Sequence, residues 1–161
     1  MKKFGMFVCA ALCTAFLTLS AAPPDKSWLT DYKKAQAEAK AKKLPLFLAF
    51  TQEGNSACTK FDSSVLKEGK FKAFAKNKFV FVYVSSSEKE HSSVAKQFQV
   101  STYPTVILAD SNGKTLGKLN EENEKEFLTK LTKMYPNVKK EVGDSTEKKE
   151  KKEKKEKSEK K

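Results

Sequence analysis

The chain has 161 residues, 39% of them hydrophobic, and a formal charge of +12 carried by 32 basic residues that are all lysine. That length fits one domain of ordinary size with short extensions. A basic balance favours acidic partners. The lack of arginine, the preferred residue for bidentate phosphate and guanine contacts, nevertheless argues against nucleic acid.

Lys2 and Lys3, the apolar run over residues 4–19 and the small residues Ser20-Ala21-Ala22 predict a secretory signal over residues 1–22. The run falls short of the roughly 20 residues that a membrane-spanning helix needs. Cys9 and Cys13 follow Val8 and Leu12, outside a lipoprotein pattern, and are expected to leave with the signal. The expected destination is therefore the periplasm or the extracellular space, with Cys58 as the one thiol of the mature chain. An odd cysteine in an oxidising compartment points to intermolecular pairing or to a free thiol. One cysteine and the single histidine, His91, cannot supply the three or four protein ligands of a zinc or iron–sulfur site. No metal or other cofactor is expected.

Residues 23–138 read as one domain. A helix is predicted over 27–42, capped by Ser27, with Trp28, Tyr32, Ala35, Ala39 and Lys42 at helical spacing. Trp28 opens the apolar stripe and is read as a core anchor. Leu44-Pro45 breaks the helix, and Leu46-Phe47-Leu48-Ala49-Phe50 runs apolar without alternation, as a strand buried on both faces of a parallel sheet does. A polar loop leads to Cys58, and residues 56–76 read as helix with an interruption near Glu68-Gly69. The β-branched and aromatic run Phe79–Val84 predicts a second strand, and a short helix follows over 91–98. His91 at its start is read as solvated rather than catalytic. Residues 105–110 and 114–119 flank the turn signal Asn112-Gly113 and predict an antiparallel hairpin. A last helix is predicted from Glu121 to Met134, acidic early and lysine-bearing late, as its macrodipole favours.

From Lys139 the chain is low in complexity, with 11 lysines against 7 acids. Glu-Lys-Lys units recur from Glu147, with Ser158 as the one interruption, and place Glu147–Lys151 and its successors at i,i+4. With no apolar face this tail, residues 139–161, is read as a solvated rod or coil. Weak contact with an anionic surface is the sharper alternative.

The order of elements is a helix followed by βαβαββα. Two stretches carry a family resemblance. One is Trp28…Ala35…Ala39-Lys40…Lys43-Leu44-Pro45-Leu46-Phe47-Leu48-Ala49-Phe50-Thr51, and the other is Phe98 to Leu108 with Tyr103-Pro104-Thr105, followed by Asp110…Asn112-Gly113-Lys114. Over residues 28–135 the chain resembles a thioredoxin-like protein of the exported bacterial kind. The resemblance implies an α/β thioredoxin-like fold, a cis bond before Pro104 and a peptide groove beside it. It also implies Trp-Cys-x-x-Cys-Lys between the two stretches, and here the chain departs. With Cys58 in the place of the second family cysteine, Gly54 stands for the tryptophan and Asn55 for the attacking cysteine; the neighbouring register puts Ser56 there instead. Without an attacking thiolate a dithiol–disulfide cycle cannot run, whereas Asn55 is a good helix cap.

The reading that follows is a non-catalytic module whose groove, lined by Asn55, Ser56, Tyr103 and Pro104, holds an extended peptide or protein client by β-type pairing. The alternative is an enzyme, a monothiol protein of disulfide or peroxide chemistry with Cys58 as the catalytic residue. A third reading has Cys58 in an intermolecular disulfide.

Overall fold

The computed structural model describes residues 23–87, 89, 91–121 and 123–140. Strand β1 (Leu46–Thr51) is buried at every position and lies inside a four-stranded sheet. It pairs in parallel with β2 (Val80–Ser85) and antiparallel with β3 (Thr105–Ala109), which in turn pairs antiparallel with β4 (Thr115–Leu119). Spatially the order is β2-β1-β3-β4. Because strand side chains alternate, the continuous apolar runs divide between two faces. Phe47, Ala49, Tyr83, Val106 and Leu108 enter one core, and Leu46, Leu48, Phe50, Val82, Val84 and Ile107 enter the other.

Helices cover both faces. α1 (Tyr32–Lys42) packs Tyr32, Ala35 and Ala39 on the second core, as does α4 (His91–Gln97) with Val94 and Ala95. The first core is closed by α2 (Ser56–Phe61), the π-helical turn Asp62–Leu66 that continues it, and α3 (Gly69–Ala75). It is closed also by α5, helical over residues 124–140, which contributes Phe127, Leu131 and Val138. The mixed α/β thioredoxin-like architecture read from the sequence is the one observed.

Several boundaries differ, each for a local reason. Asp31, not Ser27, caps α1 by accepting from the Lys34 N–H at 3.0 Å. The segment before it is extended, and Leu29 bridges Val82 on the outer edge of β2. Trp28 is buried as expected, against Phe47, Phe81 and Tyr83. Asp110 leaves β3 to organise the hairpin turn, its Oδ1 accepting from the N–H groups of Asn112 and Lys114, both at 2.8 Å. Gly113 has φ +88 in that turn, and a Cβ there would lie 2.8 Å from the Gln97 amide. α5 starts behind the Asn123 cap, which accepts from the Lys125 and Glu126 N–H groups. It runs on through Pro136 rather than ending at Met134. Proline there forfeits a hydrogen bond to the carbonyl four residues back, but Thr132 is exposed and Val138, two residues past the proline, is 2% exposed in the core. Burial of Val138 outweighs the missing bond. The signal segment, and the tail beyond Lys140, lie outside the described residues.

Candidate functional site

β1 ends at Thr51, and the loop after it is tied down twice. The Glu53 N–H donates to Ser86 Oγ at 2.8 Å, and Gly54 turns the chain with φ +75, a conformation that suits glycine. Asn55 then sits in extended backbone as the N-cap of α2. Its Oδ1 accepts from the Ala57 N–H at 2.9 Å and the Cys58 N–H at 3.3 Å. Asparagine is among the preferred residues at this position because it satisfies amides that the helix start leaves free. Ser56, the first residue of α2, is exposed. Cys58 points inward and is 3% exposed, and its Sγ accepts from the Gln52 N–H at 3.4 Å. It is the one cysteine among the described residues.

The segment before β3 closes the other side. The Tyr103–Pro104 peptide bond is cis, and Pro104 is buried. Thr105 Oγ1 donates to the Thr102 carbonyl at 2.8 Å and fixes the turn. Among the described residues the Tyr103 N–H and C=O have no hydrogen-bond partner. Burial, and then the charge of Cys58, raise the Tyr103 phenol above its ordinary range. The predicted groove residues therefore converge at one end of the sheet: Asn55 and Ser56 on α2, and Tyr103 and Pro104 ahead of β3.

His91 departs from its expectation. It is half-buried, with its ring 5.6 Å from that of Tyr103, and Nε2 has no hydrogen-bond partner among the described residues. Burial lowers its pKa. The proline turn brings Tyr103 against α4, which no spacing in the sequence reveals.

Beneath the site lies a polar pair that the sequence reading did not single out. Tyr83 Oη donates to Asp62 Oδ2 at 2.6 Å, while Asp62 Oδ1 is buried without a hydrogen-bond partner among the described residues. Burial raises the Asp62 pKa, against the opposing pull of the Tyr83 hydrogen bond and the Lys67 charge. Burial and the bond to Asp62 hold the Tyr83 phenol well above its usual range. Tyr83 was hidden inside an apolar run. The available signal was Asp62 itself, an acid one helical turn after Cys58.

A carboxyl group whose pKa is raised on folding stabilises the fold fully below its unfolded pKa, near 3.8 here. That contribution is lost as pH climbs through the raised value. Replacing Asp62 by asparagine removes that loss, so stability relative to the parent is expected to improve from pH 4 to pH 7. Urea denaturation at both pH values measures this. An unchanged difference between the two proteins contradicts it.

Among the described residues no cluster of three or more His, Cys, Asp or Glu is placed to hold a metal ion. Nor is any helix among them long and apolar enough to cross a membrane. The geometry offers a capped helix start, a buried thiol with no second thiol among the described residues, and Tyr103 backbone groups without a hydrogen-bond partner among the described residues.

A family model described as a thioredoxin-like domain matches residues 32–135. No curated protein matches the chain. Among solved structures, a DsbH oxidoreductase superposes with a TM-score of 0.60 at 21% identity, covering 68% of this chain and 83% of its own. A thioredoxin from Thermus thermophilus gives 0.58 at 23%, covering 66% and 86%. Thioredoxin O2 from Arabidopsis thaliana gives 0.54 at 16%, covering 68% and 95%. At these identities the likeness is one of fold.

Proposed function

The chain belongs to the thioredoxin-like domain family, and from that premise we propose that it is an exported binding module, holding an extended peptide or protein client rather than running a dithiol cycle. The observation that carries this reading is Asn55. It occupies the helix cap with both of its acceptor bonds made, and the nearest thiol, Cys58, is 3% exposed. The Tyr103 backbone supplies a donor and an acceptor to an incoming strand, as β-type peptide recognition requires. Export rests on the charged and apolar start of the sequence. Weak attraction to anionic surfaces through the lysine-rich tail belongs to the same proposal.

The monothiol alternative draws support from one feature, the Gln52 N–H directed at Cys58 Sγ, since a hydrogen bond to sulfur favours its charged form. Burial of Cys58 counts against both that reading and an intermolecular disulfide.

Nuclear magnetic resonance titration with a permanently unfolded, carboxymethylated polypeptide tests the groove. Amide shifts are expected at residues 101–105 and 55–58. The Tyr103 amide should also gain protection from hydrogen exchange. Shifts confined to other faces of the domain, or none at millimolar polypeptide, would remove the groove reading.

A further inference from the structure

We propose that Asp62 keeps the Cys58 thiol protonated and slow to react, by standing as a fixed negative charge one helical turn beyond it on the same face. The Asp62 N–H donates to the Cys58 carbonyl where α2 passes into the π-helical turn. Residues four apart are neighbours on a helix surface, with Cβ atoms about 5–6 Å apart. Such turns, wider than an α-helix, are frequent at functional sites. Tyr83, fully buried on β2, meets Asp62. Its hydroxyl donates to Asp62 Oδ2 at 2.6 Å, and its phenol lies within reach of the charges of Asp62 and Cys58 alike.

Burial disfavours charge in this cluster and raises the Asp62 pKa, so one carboxylate forms only above that raised value and a second anion is disfavoured further. Tyr83 supplies the hydrogen bond that supports a carboxylate at Asp62, and Lys67 supplies an attractive charge from beyond the π-helical turn. A second anion at Cys58 would then sit beside the first in a site largely closed to water, where repulsion is strong and disfavours ionisation. The Gln52 N–H also donates to the sulfur, and the Tyr103 phenol ahead of β3 is coupled to it electrostatically. Lys60 on α2 is exposed to solvent. The arrangement slows the reaction of Cys58 with adventitious disulfides. The inference is independent of peptide binding at Tyr103 and concerns only the state of the sulfur.

Iodoacetamide alkylation of the full chain, followed at Cys58 by peptide mass spectrometry from pH 6 to pH 11, tests it. The thiolate sulfur displaces iodide to form a carbon–sulfur bond, and the thiol proton goes to solvent base. The rate therefore reports the thiolate fraction, while the alkaline plateau reports access. Asp62→Asn and Asp62→Ser are each expected to lower the midpoint by about one pH unit. Alkylation below the midpoint should then run about tenfold faster, with the plateau unchanged. Asp62→Glu, which keeps the charge, should keep the parental midpoint. A midpoint that stays or rises in the neutral variants overturns the proposal. So does a raised plateau with a constant midpoint, which would mean that the substitutions only open the site.

Discussion

Changing Asn55 to cysteine is expected to turn a chain that leaves insulin disulfides at their uncatalysed rate of reduction into one that accelerates it clearly. The position already has what an attacking thiol needs. Asn55 Oδ1 accepts from the Ala57 and Cys58 N–H groups at 2.9 and 3.3 Å, and a sulfur there would face the same donors and the positive end of the helix. Such an environment lowers a thiol pKa from about 8.5 toward 7 or below. The new thiolate would attack a substrate disulfide, releasing one substrate sulfur as thiolate. Cys58 would then attack the mixed bond, release the second substrate sulfur and leave an internal disulfide for dithiothreitol to reduce. Loss of the asparagine cap should cost about 1 kcal/mol, which a folded domain tolerates. An Asn55→Ser control keeps the cap and should stay at background. If the variant forms its internal disulfide yet insulin reduction stays at background, the groove does not admit a client and the binding proposal fails with it.

Replacing Phe47 by alanine is expected to cost about 3–5 kcal/mol, the range for removing a buried aromatic. That is a large share of the roughly 5–15 kcal/mol that holds a domain together. Phe47 has no exposed surface, and its ring centroid lies within 5.4 to 6.2 Å of those of Trp28, Phe71, Phe79, Phe81 and Phe127. It therefore joins the pre-helical segment, β2, α3 and α5 across one face of the sheet, where little can collapse into the space left behind. Guanidinium denaturation of the two proteins measures the loss. A cost below about 1 kcal/mol would mean that this aromatic cluster is not the centre of the first core.

Much of the architecture was legible because it depends on local order. The unbroken run Leu46–Phe50 reads as a strand with two covered faces, and the structure buries every position of β1 against helices on both sides. The Asn112-Gly113 turn predicts the hairpin, and β3 and β4 pair antiparallel around it. Asn55 reads as a cap from its chemistry alone, and its two amide bonds are present. Boundaries were less legible where a distant contact decided them. Ser27 and Asp31 are both competent caps, and the choice fell to Asp31 once Leu29 was held by β2. The end of α5 depended on whether Val138 found a core to enter, and it did.

The sequence by itself determined the order of strands and helices and that Cys58 is the one cysteine between β1 and β2. Both follow from residue identity and short-range pattern. Tertiary structure alone decided what surrounds Cys58. Tyr83 is 21 residues from Asp62, and Tyr103 is 12 from His91, yet each pair is in contact because parallel pairing of β1 with β2 and the turn before β3 bring their elements together. A buried charge and its partner have no periodicity of their own. Their meeting is set by which strands pair and in what register, and that is a property of the whole sheet.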